Sequence, residues 1–245
     1  MKTRKLMTGL FFAVVTMVFV SCNETFNNLD EQSLEALNME KSTGEENNPC
    51  DGCTFSGTLT EADIEGIFEM REEEKLARDV YLKLYEIHNH IAFDNISKAE
   101  NAHMTAVLFL MNGYGLEDPA MNGEGEFSNP FFADLYRQLT DQGANDLISA
   151  LKVGAFIEEY DIADLKKLIE ETENADIKKV YGNLLRGSEF HLQAFTYALK
   201  QQGITYEPTI ISEEEYQKIL NSSDDTEAEN LISSVGECDG TGPNT

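Results

Sequence analysis

Five ionisable side chains fall on what should be apolar helical faces: Glu74, Glu100 with His103, Glu158, and His191. A carboxylate or imidazole inside a helix-packed core is costly unless something pairs with it, and a metal cation is the simplest partner. The placement follows from phase. Ile67, Met70, Ala77, Tyr81 and Leu84 are spaced by alternating steps of three and four residues, and the missing member of that series is Glu74. A second stripe runs Ile96, Glu100, His103, Val107, Leu110, and a third runs Ile148, Leu151, Ala155, Glu158, Ile162, Leu165. The fourth is Tyr181, Leu184, Ser188, His191, Phe195. Three carboxylates and two imidazoles therefore point inward from four helices. Such a set, rich in carboxylate and without thiolate, suits iron or manganese, with zinc as an alternative occupant on affinity grounds. Two ions about 3.5 to 4 Å apart would bind dioxygen or peroxide between them, or activate water.

Each residue also has a simpler reading. Glu74 lies in the acidic run Glu72 to Glu74 and could pair with Arg78 one turn on as a solvated salt bridge. Ser97-x-x-Glu100 reads as a capping box, which would put Glu100 at a helix start, although Asp94 and Asn95 supply an earlier cap. Glu159 adjoins Glu158, but only Glu158 keeps the apolar register; Asp161 comes one turn later on nearly the same face. His103 and His191 taken singly are ordinary core histidines. His88 and His90 sit among polar residues at a helix end and read as solvent-facing, while spacing makes Tyr81, Met104 and Tyr160 packing residues. The constellation carries more than its parts, because five independent simple readings would all have to hold.

The elements that must position these groups are all helical. Thr60 and Asp63 open a first helix as a capping box, and its pattern lasts to about His88. A second starts at Asp94 or Asn95 and fades near Asn112 and Gly113. Residues 114–129 carry Gly115, Pro119, Gly123 and Gly125 and read as loop, followed by a short helix over 130–142 within a long crossover. A third long helix begins after Asn145 and ends near Asn174, and a fourth runs from Ala175 to Gln202 and stops at Gly203. Residues 209–211 read as extended, and 212–220 as a short terminal helix.

The chain ends have a different character. Lys2, Arg4 and Lys5 precede an apolar stretch from Leu10 to Val20, then Ser21 and Cys22. That stretch is well short of the ~20 residues that span a bilayer, so residues 1–22 read as a cleaved lipoprotein signal with Cys22 as the lipid-anchored residue. A net charge of -27 excludes nucleic acid as a partner and disfavours attachment through anionic lipid. Residues 23–58 read as a flexible acidic tether and 222–245 as a disordered tail. Between them lie a bundle over 59–207 and a short segment over 208–221. Cys50, Cys53 and Cys238 remain, and in an oxidising envelope a disulfide between two of them is favoured over metal capture or free thiols.

Four separated motifs add a resemblance. Glu72-Glu-Glu-Lys-Leu-Ala-Arg-Asp-Val-Tyr81, Gly113-Tyr-Gly-Leu-Glu-Asp-Pro119, Val153-Gly-Ala-Phe-Ile-Glu-Glu-Tyr-Asp-Ile162 and Arg186-Gly-Ser-Glu-Phe-His-Leu-Gln-Ala-Phe195 resemble the domain-of-unknown-function-2202 family of bacterial and archaeal ferritin-like proteins. The resemblance covers roughly Leu59 to Gly203. It implies an all-α, ferritin-like four-helix bundle with a long crossover between its second and third helices, and a di-iron or di-manganese site. Glu74, Glu100, His103, Glu158 and His191 would be the ligands. Tyr81, by its likeness to the ferritin position, would donate an electron or hydrogen-bond a ligand. Ser188-x-x-His191 stands where a full di-iron site carries Glu-x-x-His. Asp161 or solvent would then supply a bridging ligand, or one ion alone would bind tightly. The activity so implied is ferrous oxidation or peroxide reduction, with dioxygen or peroxide as the small partner, in an envelope-anchored protein that could form a homodimer. The alternative is a non-catalytic metal-binding or structural surface lipoprotein.

Overall fold

The computed structural model describes residues 50–222. The segment read as a signal with Cys22, the stretch read as a tether up to residue 49, and the stretch read as a tail with Cys238 lie outside the described residues. The described chain forms six helices and contains no strand: α1 (Glu61–His88), α2 (Ile91–Tyr114), α3 (Pro130–Gly143), α4 (Leu147–Glu171), α5 (Ala175–Gln201) and α6 (Glu213–Asn221). No helix among the described residues is long and apolar enough to cross a membrane.

Local chemistry sets the helix ends. Thr60 caps α1 in a reciprocal box with Asp63, and the helix stops at Asn89, whose left-handed backbone (φ 50°) an asparagine tolerates. Gly115 (φ 71°) ends α2 in the same conformation at a residue without a Cβ to oppose it. Asn129, Asp146, Asn174 and Ser212 cap the remaining four helices with side-chain oxygens. The second helix begins earlier than its sequence indicates. His90 caps it by accepting from the Ala92 amide, so Asp94 lies in the first turn and the Ser97-to-Glu100 spacing falls inside a continuous helix. His90 is therefore half-buried rather than solvent-facing, and so is His88, whose Nε2 lies 2.7 Å from the Gly143 carbonyl.

Contacts fix the helix directions. The start of α1 meets the end of α4 through Thr172 and Asp63, and Tyr81 near the other end of α1 meets Gly154 and Glu158, so the two run antiparallel. Tyr114 at the end of α2 bonds Asp176 at the start of α5, which makes that pair antiparallel as well. Short turns make α1/α2 and α4/α5 antiparallel by construction. α2 and α4 therefore run parallel, as the long crossover between them allows. Two hydrophobic cores result. One gathers Tyr81, Leu84, Phe93, Ile96, Leu151 and Phe195; the other gathers Ile67, Met70, Val107, Leu110, Leu165 and Tyr181.

Segments outside the helices are pinned by named bonds. Residues 50–58, read from sequence as the end of a tether, dock on the α2/α5 end instead. Cys50 and Cys53 are disulfide-bonded, Phe55 packs against Phe109 and Tyr114, and the Thr54 and Phe55 amides donate to Asp176. Residues 209–211 are not extended strand but a bend held by one carboxylate, described below. The crossover is fastened to α1. Glu72 accepts from the Ser128 and Asn129 amides (2.6 and 2.8 Å), and Arg71 forks onto Asp118 and also bonds the Met104 carbonyl. Lys75 and Asp79, 1 % and 0 % exposed, form a fully buried ion pair. The pair has further partners: Lys75 donates to the Gly123 carbonyl and lies over the Phe127 ring, and Asp79 accepts from Arg78 and the Gly125 amide.

Removing one member of that pair strands the other in the interior, so Asp79→Ala should cost about 3–5 kcal/mol in urea unfolding, whereas Lys83→Ala, in an exposed pair, should leave the urea midpoint nearly unchanged. Acid should act through Asp63 and Asp176. Burial raises both carboxyls, but hydrogen bonds from Thr172 and Thr60, and from Tyr114, Thr54 and Phe55, outweigh it and leave both below the ordinary value of 3.8. Their contribution is thus present above about pH 4 and lost as pH falls through the lowered folded-state values. The Asp63→Asn/Asp176→Asn chain should show a shallower decline in urea midpoint between about pH 5 and pH 3 than the unsubstituted chain.

Candidate metal centre

The ionisable residues form a layer between the two hydrophobic cores. In α1, Glu74 lies between Met70 and Ala77; in α2, Glu100 and His103 lie between Ile96 and Val107. Glu158 and Asp161 of α4 and Ser188 and His191 of α5 complete the layer, all of them buried. Helical phase explains the assembly: each residue replaces an apolar member of an inward stripe, so packing the stripes brings the replacements to one level.

Glu100 is the hub. Its Oε2 lies 2.9 Å from His103 Nδ1 and its Oε1 lies 2.7 Å from His191 Nδ1. On the first side Glu74 Oε2 stands 3.2 Å from His103 Nδ1; on the second Glu158 Oε2 stands 3.4 Å from His191 Nδ1. The two imidazoles stack with centroids 5.3 Å apart. Two half-sites thus share one carboxylate: Glu74 and His103 with one oxygen, Glu158 and His191 with the other.

The donor atoms behave as ligands in search of a cation. Glu100 Oε1 and His191 Nδ1 are close, yet neither has a hydrogen-bond partner, because their directions do not meet as donor and acceptor; Glu74 Oε1 is equally unpartnered and buried. Buried polar atoms are normally satisfied, so four unsatisfied ones at a single level, Asp161 Oδ1 among them, need an explanation. A metal fits the residues present: donor atoms of Glu100, His103 and His191 lie within 4.8 Å of one another. Burial lowers the affinity of both imidazoles for protons, but the carboxylates around them reverse it, lifting His191 to about 10 and raising His103 well above the usual range. Burial pushes the Glu100 carboxyl up, and the two imidazoles more than offset that, holding it well below the carboxylate range. Burial dominates at Glu158 and Asp161, each pushed up to about 7, and at Glu74, raised well above its ordinary value.

Neighbours hold the layer in place. Tyr81, 5.1 Å from Phe195 between ring centroids, donates to Glu158 Oε1 at 2.5 Å. Ser188 donates to Asp161 Oδ2, so the serine of Ser188-x-x-His191 fixes a carboxylate from α4. Asp161 makes no ion pair with His103 or His191; it stands beside the hub with Oδ1 unpartnered. Gly187, in the motif from Arg186 to Phe195, leaves space for an imidazole: a Cβ there would lie 2.4 Å from His103 Nε2. Any side chain at position 187 would force the His103 imidazole to move, a requirement that no spacing in the sequence carries.

The rival readings resolve in the same geometry. Arg78 pairs with Asp79, so it does not engage Glu74 as a surface bridge. Glu159 turns away from the centre. Its buried carboxylate accepts from the Tyr206 hydroxyl and from the Thr209, Ile210 and Ile211 amides, holding the segment that precedes α6. Glu189 faces Lys166 at 3.8 Å, outside the layer.

The fold and site together define an all-helical protein with a buried Glu/His group able to hold a metal ion. The chain belongs to the family described as an uncharacterized protein domain (DUF2202), whose profile matches residues 63–223. It is 50 % identical over 166 residues to the uncharacterized protein MJ0754 of Methanocaldococcus jannaschii, covering 67 % of this chain and 90 % of that protein. The crystal structure of the hypothetical protein MJ0754 superposes with a TM-score of 0.68 at 49 % identity, across 69 % of this chain and 97 % of that one.

Because Glu159 is spent on structure, Glu159→Ala should release residues 206–211 and cost about 1–3 kcal/mol in unfolding experiments, through donors left without an acceptor. Hydrogen exchange at the Thr209 to Ile211 amides should quicken while the metal content of the protein stays that of the unsubstituted chain.

Proposed function

We propose that the protein is a ferritin-like four-helix bundle carrying a dinuclear non-haem centre of iron or manganese, acting in ferrous oxidation or peroxide reduction. The observation that carries this reading is the two-sided placement of Glu100, one oxygen toward each histidine, with a second carboxylate completing each side. A single-ion site needs no such division. The antiparallel pairs α1/α2 and α4/α5, with the crossover between them, support the ferritin-like assignment.

Glu74 and His103 would hold one ion, Glu158 and His191 the other, with Glu100 between them. When bound, iron or manganese supplies the exchangeable electrons and the open positions for a small oxidant. The chain's own residues do the positioning. Tyr81 keeps its proton, because burial and the charge of Glu158 raise its phenol well above 10, and it fixes the orientation of Glu158 by donating to Oε1. Ser188 does the same for Asp161. The His103 side chain, 14 % exposed, is the part of the layer nearest solvent and marks the side from which a small oxidant arrives. The lipid anchor at Cys22 would keep this domain at the cell envelope.

Elemental analysis tests the reading directly. The chain purified without affinity metal should carry about two iron or manganese ions, and Glu100→Ala/His103→Ala should carry none. Absence of metal from both, after reconstitution as well, would overturn it. Metal-dependent consumption of dioxygen or peroxide by the loaded chain separates catalysis from the alternative, in which the same centre stabilises the bundle or sequesters a cation.

A further inference from the structure

The pair Cys50 and Cys53 has no part in the Glu/His layer. The two residues, three positions apart, are joined by a disulfide at the end of the bundle where α2 stops and α5 starts. A cross-link this short closes a small loop, removes little freedom from the unfolded chain and so contributes little to holding the fold. The segment is held without it. The Thr54 and Phe55 amides donate to the Asp176 carboxylate at 3.1 and 2.8 Å, and the Phe55 ring stands edge-on to Phe109 and Tyr114. Gly113 leaves the room that this ring occupies, since a Cβ there would lie 2.2 Å from Phe55 Cε1. The disulfide is therefore surplus to the docking of Thr54 and Phe55, and a different use accounts for it.

The two sulfurs differ in access. Cys50 is fully buried, in the cluster that contains Ile177, Val180 and Tyr181 of α5, whereas Cys53 is partly exposed and flanked by exposed Asp51, Gly52 and Thr54. Gly52, between them, takes a left-handed backbone (φ 78°), and Lys179 Nζ stands 3.3 Å from where its Cβ would be. An ammonium group thus lies against the turn that joins the cysteines, at the N-terminal end of α5; both features favour thiolate over thiol. Asp176 shares that ammonium, but its own charge is met by two amides and the Tyr114 hydroxyl. We propose that Cys50 and Cys53 are a redox-active pair that exchanges electrons with a protein dithiol of the thioredoxin class. A thiolate of that partner attacks Cys53 Sγ, the Cys50–Cys53 bond breaks, and Cys50 leaves as a thiolate, with Lys179 as the neighbouring cation, and takes a proton. The partner's second thiol then attacks the mixed disulfide and frees Cys53. Two electrons and two protons pass to this chain, and the partner becomes a disulfide. The pair operates with or without a metal ion in the Glu/His layer.

The full chain carrying Cys22→Ser and Cys238→Ser keeps this pair as its only cysteines. Mixed in oxidised form with an equal concentration of reduced thioredoxin, it should have about half or more of its Cys50–Cys53 bonds reduced at equilibrium, counted as alkylated thiols by mass spectrometry, with its helical circular dichroism unchanged. Lys179→Met should slow the reduction by about threefold or more, whether thioredoxin or dithiothreitol is the reductant, and Lys179→Arg should restore it. A bond that persists in the folded chain and yields only in urea overturns the proposal and makes the disulfide structural. Loss of helix on reduction overturns it as well, because the cross-link would then be holding the fold. A Lys179→Met rate equal to that of the unsubstituted chain overturns the role given to Lys179.

Discussion

Everything in this structure has to accommodate one interaction: the carboxylate of Glu100 held between His103 and His191, in the middle of the core. Charges at that depth are expensive, and a core of continuous aliphatic packing would hold four helices together with less conflict. The layer splits the hydrophobic interior into two clusters, each of which must be packed well enough to hold its end of the helices in register. Tyr81, Phe93 and Phe195, with ring centroids 5.1 to 6.2 Å apart, do this on one side of the layer. The Gly187 gap on α5 and the Ser188 hydroxyl show the same constraint at atomic scale: the residues around the layer are chosen for fit to the imidazoles and carboxylates.

The burden falls most heavily on α1. From Met70 to Ala77 every residue is buried, including Arg71, Glu72, Glu73, Glu74 and Lys75. An amphipathic helix has one apolar face, so burying all faces of a charged stretch requires a separate partner for each. The inward face meets the Glu/His layer through Glu74. The outward faces meet the crossover, where Arg71, Glu72, Lys75 and Asp79 find backbone and side-chain partners between residues 118 and 129. The crossover is thus a covering as well as a connection. Without it, the charged side of α1 would face water, and the layer beneath would lie one helix closer to solvent.

A similar division of labour separates Glu158 from Glu159. Adjacent residues of one helix point about 100 degrees apart, so one carboxylate reaches the centre while the other faces the chain leading to α6. Three amides and a phenol converge on Glu159, which makes it an internal anion bound by a backbone nest. The terminal segment closes over α4 and α5 by this means, placing Tyr206, Ile211, Tyr216 and Ile219 in the core.

Periodicity made the helices and the inward residues legible. Glu74, Glu100, His103, Glu158 and His191 stand in apolar registers, and register survives folding because a helix converts spacing into direction. The capping box of Thr60 and Asp63, the stop at Gly203 and the short helix after Asn129 are equally local, and the structure has them where the sequence put them. The start of α2 is not legible in the sequence because its cap is a histidine, a residue outside the usual capping set. Only the tertiary structure decided the pairing of Glu100 with both histidines, the room that Gly187 leaves for His103, the burial of Lys75 with Asp79, and the docking of residues 50–58 on Asp176. The physical reason is common to all of them. Spacing along one chain segment fixes which way a side chain points, whereas its partner, its solvent exposure and its charge environment come from another segment, brought close only when the helices pack.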